Sequence, residues 1–522
     1  MQYIYKLPGI CMLPTLRSHI AIIILFALAV TVGLFIYADY GMSWDEVSQW
    51  NIGRISYEYV FQGSHELFTS KDKDYGVGFE LPLYMLERAL HLTDTREVFL
   101  LRHLVSHLFF LTCMLAGYIL AWKLFRSRLL ACLVYLVLVC HPRIYAHSFF
   151  NTKDIPFLCF FLLSLLAIYV MFRRQRASWF LLGGLLLGYT INLRVMGVLL
   201  LGMVGLFLLI DLVQARREGK PVGKYFGYFG LYAGGAVLML YASWPYLWTA
   251  PVTHFVANFQ SFSHYRWQGE VLFMGRVIKA TSLPWYYLPV WIGITTPLMW
   301  LFFALWGVAT LVRSLVRRPA DYLANTPERN LVLYLCSFLA PVLAVIVLHS
   351  VVYDDWRHLY FIYPPLVLLM AYGVHRLDVR MKGTWARAFL AGQLAGMAFT
   401  LTEEHPYQQV YFNNLASHKE GSLKKKYEME YWGCSYKDGL EWLAANTTDT
   451  PIRVLTIKPL SDNLLLLPAS QRTRFVEVAE GDFPFYLVTN YRFAYRDSFH
   501  YPLVHRFNSG NSPVLDIYKV EK

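Results

Sequence analysis

The feature that most constrains this chain is a succession of apolar runs near bilayer length, separated by short loops rich in arginine and lysine. About 20 apolar residues in a helix cross a hydrocarbon core, where only helices and closed barrels satisfy their own backbone. The runs are Ile20–Ala38, Leu104–Trp122, Leu129–Cys140, Ile155–Phe172, Trp179–Leu212, Phe226–Trp248, Leu288–Val312, Leu331–Leu348, Leu359–His375 and Trp385–Leu401. Arginine clusters flank both ends of Trp179–Leu212, so that run goes out and returns, turning near Asn192-Leu193-Arg194. Each leg has about 16 residues. The total is eleven crossings. Charged residues are 16% of the chain, against about 25% in soluble domains. With 56% hydrophobic residues, an ordinary soluble enzyme and a disordered chain are both excluded.

The net charge of +12 is not spread evenly. Residues after 402 hold 14 basic and 15 acidic side chains, so the excess belongs to the apolar part. There it collects in loops such as Lys123/Arg126/Arg128, Arg173/Arg174/Arg176, Arg216/Arg217/Lys220/Lys224 and Arg376/Arg380/Lys382/Arg387. Such clusters mark the cytoplasmic face, so the charge reads as topology and not as nucleic-acid binding. The N-terminus is then cytoplasmic. The first run is too long for a leader's apolar core and reads as a retained anchor. Eleven crossings put the C-terminus outside. The cysteines lie mostly in apolar runs and form no metal or disulfide pattern.

The run Leu129–Cys140 has 12 residues, too few to cross. Its continuation, His141 to His147, should dip below the outer surface. Irregular backbone at that depth survives only when buried in protein or lining a wet cavity. From Glu403 the composition becomes that of a small soluble α/β domain. A helix is expected over Tyr436–Asn446, with strands over Ile452–Ile457 and Phe485–Asn490. A hairpin is expected from Leu503–Phe507 and Val514–Val520 about Asn508-Ser509-Gly510-Asn511. The expected organisation is a transmembrane part over 1–402 and an extracytoplasmic soluble part over 403–522. The fold class is mainly α, a polytopic helical bundle with a small C-terminal α/β domain. Nothing in the soluble part reads as catalytic, so a structural cap is expected of it.

Four charged groups project from the outer face: Ser43-Trp44-Asp45-Glu46, Glu80 ahead of the second run, His141 to Asp154, and Asp354-Asp355-Trp356-Arg357-His358. Ionisable groups at membrane depth are costly and mark function by default. Carboxylates, arginines and a lipid-adjacent hollow suit transfer of a sugar from a polyprenyl phosphate. The leaving group is an anionic lipid phosphate that Arg or Lys stabilises. A carboxylate takes the acceptor's proton as general base. A divalent cation such as Mg or Mn, bridging Asp45, Asp154 and the phosphate, would supply part of the positive charge.

These residues resemble the GT-C superfamily of integral-membrane glycosyltransferases, in particular the protein O-mannosyltransferase group (glycosyltransferase family 39) and the aminoarabinose transferases. Asp45-Glu46 is similar to the acidic pair of that superfamily's first loop. Glu80 in Phe79-Glu80-Leu81-Pro82-Leu83 is similar to its stretch before the second span, and Asp154 to its second-loop acidic residue. Arg357-His358-Leu359-Tyr360 with Pro364-Pro365 resembles the run that opens a late helix near the lipid phosphate. Leu81 departs from the lysine of the aminoarabinose enzymes, His358 from the usual tyrosine, and no β-trefoil insert is present. The resemblance implies inverting transfer from a polyprenyl-phosphate sugar to a lipid, glycan or protein acceptor. It makes Asp45 the general base, with Glu46 and Asp154 beside it. Glu80, Arg143, Lys153, Arg194, Arg357 and His358 would hold substrate. His264, with Tyr265 and Arg266 in the loop Thr249–Tyr287, would gate the donor. A transporter or lipid flippase with a polar outer cavity is the alternative from another class, but no internal repeat supports it. A non-catalytic scaffold of an envelope-polysaccharide machine is the third.

Overall fold

The computed structural model describes residues 19–263, 267, 269–324, 326–416, 418–419, 421–492 and 499–521. His264, Tyr265 and Arg266 lie outside these residues, as does the segment before 19 that carries Lys6 and Arg17. The chain is mostly helix. It opens with α1 (Ile20–Ile36), α2 (Glu46–Gln62), α3 (Glu66–Thr69), α4 (Glu80–Ala89) and α5 (Thr95–Phe125). Then come α6 (Arg128–Val139), α7 (Pro142–Phe150), α8 (Asp154–Arg174), α9 (Ala177–Leu193), α10 (Val198–Arg217), α11 (Gly223–Ser243) and α12 (Pro251–Ser263). The hairpin β1 (Glu270–Phe273) and β2 (Arg276–Lys279) precedes α13 (Tyr287–Thr295), α14 (Leu298–Arg317), α15 (Pro319–Leu323), α16 (Arg329–Val347), α17 (Tyr363–Met381) and α18 (Trp385–Glu403).

All eleven expected apolar segments fold as helix. Six helices among the described residues are long and apolar enough to cross a membrane alone, seven with the bent pair α6–α7. The remainder differ for physical reasons. The helices α1 and α9 have 17 residues each, and α17 carries His375, Arg376, Asp378 and Arg380 in its last turns. The pair α6–α7 bends by 62°, where Pro142 cannot donate to the helix ladder. Every residue of α7 is buried, as backbone broken at membrane depth requires. The stretch Thr249–Tyr287 is not a loop: it folds into α12 and the β1–β2 hairpin.

Bundle packing relies on small residues where backbones meet. A Cβ on Gly184 or Gly188 of α9 would strike the carbonyls of Tyr232 or Ala236 on α11. This spacing of four lets two helices approach closely without a hydrophobic driving force between them. By contrast, α1 buries only Ile22 and Gly33. Its exposed Ile20, Ile24, Leu28 and Phe35 suit lipid contact.

Beyond α18 the chain forms α19 (Ser422–Lys426), α20 (Tyr436–Asn446), α21 (Lys458–Leu464) and α22 (Ala469–Arg472) around a five-stranded sheet. Its strands are β3 (Ile452–Leu455), β4 (Phe475–Val478), β5 (Phe485–Thr489), β6 (Leu503–Ser509) and β7 (Ser512–Val520), in the order β4-β3-β5-β7-β6. β3 runs parallel to β4 and β5, while β7 is antiparallel to β5 and β6. Leu440 and Leu443 of α20 pack with Val488, Leu515 and Ile517 in a core separate from the bundle's. The expected helix and strands are all present. β4 and α21 are additions that their short apolar patterns did not signal.

Candidate functional site

The site forms where α2, α8, the segment before α17 and the sheet unit meet. The loop between α1 and α2 is clamped at both sides. Asn463 of α21 accepts from the Met42 amide at 2.8 Å and donates to its carbonyl at 3.0 Å. The Trp44 amide donates to the Trp432 carbonyl at 2.8 Å. Glu46 is buried and reaches back to accept from the Ser43 amide at 2.6 Å. Its other oxygen meets His103 Nε2 at 2.8 Å. The Ser43 hydroxyl donates to the Phe150 carbonyl at 3.2 Å, so the turn Ser43-Trp44-Asp45-Glu46 is tied down at the start of α2. Asp45, the first residue outside α2, keeps its carboxylate 32% exposed.

At the start of α8, Asn151 Oδ1 accepts from the Asp154 amide at 2.9 Å. Capping thus falls to Asn151, and Asp154 is free to pair. Its carboxylate meets Arg194, which opens the turn after α9, and Arg357 Nη1 at 3.3 Å. Arg357 is the hub: it also lies 3.0 Å from Asp354 and 3.9 Å from Asp45, with Trp432 across its guanidinium at 4.6 Å. Asp45, Asp154 and Arg357 therefore share one cluster.

Asp354 and Asp355 hold consecutive left-handed conformations, with φ of 54° and 62°. Such backbone costs about 1–3 kcal/mol per residue and persists where surroundings over-determine it. Here the surroundings are arginines. Asp354 pairs with Arg357 and with Arg492, at 3.0 Å each. Asp355 accepts from Arg143 at 2.9 Å, Tyr360 at 3.1 Å and Tyr431 at 2.7 Å. Burial still pushes the Asp355 carboxyl above its ordinary range. The extra acidic pair thus binds the bundle to the sheet unit.

Beside the cluster lies a cavity of about 360 Å³. Asp74, Lys153, Arg194 and His358 are the ionisable residues of its lining, with Tyr75, Asn192 and Asn258 beside them. Leu193, Val198, Leu199, Val345 and Leu348 line the remainder. Lys153 Nζ sits 4.1 Å from the Tyr75 ring. The lining thus combines two cations and one carboxylate with a largely apolar wall.

Other expected site residues sit elsewhere. Glu80 is buried with Glu87 against Arg102, in a triad closed to solvent. Arg143 is fully buried, donating to the Tyr411 carbonyl at 2.9 Å and lying 4.7 Å from the Phe412 ring. Neither lines the cavity. The position expected for a divalent cation between Asp45 and Asp154 is filled by the Arg357 guanidinium. No group of three or more His, Cys, Asp or Glu among the described residues is arranged to hold a metal. The donor set here fits a guanidinium better than a hard cation.

The sequence reading assigned no role to Trp44, named only within its acidic group, and did not single out Tyr431, Trp432 or Arg492. Trp432 Nε1 donates to His147 Nε2 at 3.1 Å. Trp44 lies between Lys458 and Arg492, each 5.3 Å from its ring. A buried-type aromatic pair, Tyr431-Trp432, inside a polar segment was the one available signal.

Residues 77–260 match the family model described as dolichyl-phosphate-mannose-protein mannosyltransferase. No curated protein sequence matches the chain. Its fold is similar to the apo oligosaccharyltransferase of Archaeoglobus fulgidus, at 11% identity and a TM-score of 0.50, over 90% of this chain and 65% of that one. This chain thus spans under two thirds of that protein's length. ArnT from Cupriavidus metallidurans in the apo state aligns at 14% identity and a TM-score of 0.49, over 96% and 98%. The resemblance to GT-C glycosyltransferases read from the motifs is borne out, and so is the fold class. The chain is a multi-pass membrane protein.

Proposed function

We propose that this chain transfers a sugar from a polyprenyl phosphate to an acceptor hydroxyl, with inversion, at the face where α8 begins. One observation carries the reading: Asp45, Asp154 and Arg357 meet beside a cavity whose largely apolar lining also holds Lys153 and Arg194. An amphiphile with an anionic head matches that lining. The family model over 77–260 points to the same donor class.

In this reading the donor phosphate lies by Lys153, Arg194 and His358, and its chain follows Val198, Leu199, Val345 and Leu348. The acceptor oxygen attacks the anomeric carbon as the bond from that carbon to the phosphate oxygen breaks. Polyprenyl phosphate leaves with the electron pair. Asp45, the exposed carboxylate of the cluster, takes the hydroxyl proton. Preorganised cations aimed at the leaving phosphate stabilise the charge growing there, and general-base help contributes about 10²–10⁴-fold. Arg194 and Arg357 are each tied to Asp154, which fixes their geometry before substrate arrives. Glu46 holds the Asp45 loop through Ser43. Glu80 and Arg143 support the site from behind. No step is routed through a metal.

The same reading places the N-terminus in the cytoplasm and the sheet unit, residues 403–522, on the outer face.

The test is transfer from a labelled polyprenyl-phosphate sugar by the full chain in detergent, where no gradient exists. Wild type should transfer, and Asp45→Asn should lose at least about 10²-fold in rate while folding normally. Full activity in Asp45→Asn would remove it as base. Absence of transfer with any donor, alongside donor translocation in vesicles, would favour a flippase.

A further inference from the structure

We propose that the opposite end of the bundle carries a second ligand site, for the phosphate of an anionic phospholipid headgroup. The helix α8 runs from Asp154 in the candidate site to Arg174 over 21 residues, about 30 Å at 1.5 Å per residue. At its far end a cavity of about 390 Å³ opens among α8, α10 and the start of α16. Arg173, Arg174, Gln175, Thr326, Arg329 and Asn330 supply its polar lining.

Two arginines at a helix end are by themselves an interfacial anchor. Here they border a built recess. Arg329 is buried, lies 5.4 Å from the Phe172 ring and 5.2 Å from the Phe207 ring, and pairs with Asp211 through both terminal nitrogens. Its remaining donor reaches the Leu323 and Ala324 carbonyls at 3.0 and 2.9 Å. The floor of the cavity is therefore rigid and charge-balanced. Arg173 and Arg174 have no such balance: among the described residues neither has an ion-pair partner. Both are exposed, so the rim of the recess carries two solvated positive charges open to an anion.

The surroundings select a lipid over a free anion. Ile168, Phe172 and Phe207 give the recess an apolar wall beside the arginines, and the outward face of α10 exposes Leu206, Leu209 and Val213. Basic pockets between spanning helices take anionic headgroups in this way. A phosphodiester would accept from the two arginines, with Asn330 and Thr326 within the same cavity, while its acyl chains lie along α10.

The experiment uses the full chain in neutral detergent and native mass spectrometry. Phosphatidylglycerol and phosphatidylcholine of identical acyl chains are titrated separately. Phosphatidylglycerol should be retained at roughly tenfold lower concentration, and Arg173→Ala with Arg174→Ala should erase that preference. Because removing two helix-end arginines can disturb insertion, Asn330→Trp serves as a second variant: it fills the cavity and leaves every charge in place. It should erase the preference as well. Equal retention of the two lipids, or an unchanged preference in Asn330→Trp, would overturn the proposal. Displacement of phosphatidylglycerol by equimolar inorganic phosphate would also overturn it, by assigning the recess to a soluble anion.

Discussion

Arg492→Leu isolates what the sheet unit contributes to the candidate site. The Arg492 side chain is 10% exposed and donates to both Asp354 oxygens, at 3.0 and 3.2 Å. It also donates to the Tyr431 carbonyl and lies against Trp44. Removing one partner of a buried ion pair costs about 3–5 kcal/mol, most of it the desolvation of the stranded charge. Asp354 is not fully stranded, because Arg357 stays 3.0 Å away. The loss should therefore fall to about 2 kcal/mol. Arg357 also holds Asp45 and Asp154, so a shift of Asp354 is transmitted to the proposed base. If the whole loss appears in the transition state, transfer slows by about 30-fold. The assay is initial transfer rate against donor concentration, with thermal unfolding of the same preparation. Arg492 does not line the donor cavity, so the rate should drop while donor KM changes less than about twofold. Lys153→Ala, inside the cavity, should raise donor KM instead. A cycle with Asp354→Asn should show coupling of about 1–2 kcal/mol. Transfer within twofold of wild type, with no coupling to Asp354, would refute the reasoning and leave the sheet unit as a cover.

Arg102→Met should destabilise the protein by about 3–5 kcal/mol, since it leaves Glu80 and Glu87 buried without a cation. Adding Glu80→Gln and Glu87→Gln should recover most of the loss, as read by thermal unfolding in detergent. Burial pushes the Glu430 carboxyl up to about 7, against hydrogen bonds from Asn490, Ser435 and the Cys434 amide. The folded chain thus keeps a proton that the unfolded chain releases near 4.5. This group's stabilising proton is fully present below that pH and lost as pH rises toward 7, a fall of about 3 kcal/mol. Glu430→Gln should flatten the melting temperature across that window, and an unchanged slope would remove Glu430 as its source.

Some of this protein was legible from local pattern alone. Each apolar run became a helix because, in a bilayer, a spanning segment must satisfy its backbone within itself. The return near Asn192-Leu193-Arg194 followed from arginines at both ends of one run. The break at His141-Pro142 followed from a run too short to cross. Helix α20 matches its expected bounds, Tyr436–Asn446, since an amphipathic face is written within a few turns. Partner choice is not local. Glu46 meets His103, Arg143 meets Asp355, and Arg492 meets Asp354 across 57, 212 and 138 positions. Glu80 and Asp154 look alike as acidic residues at helix starts, yet one is sealed behind Arg102 and the other faces the site. Charge type and spacing along the chain singled out the residues proposed to carry chemistry. Only the packed bundle decided which of them meet, because a buried charge is tolerable only where folding brings its counter-charge within a few ångströms.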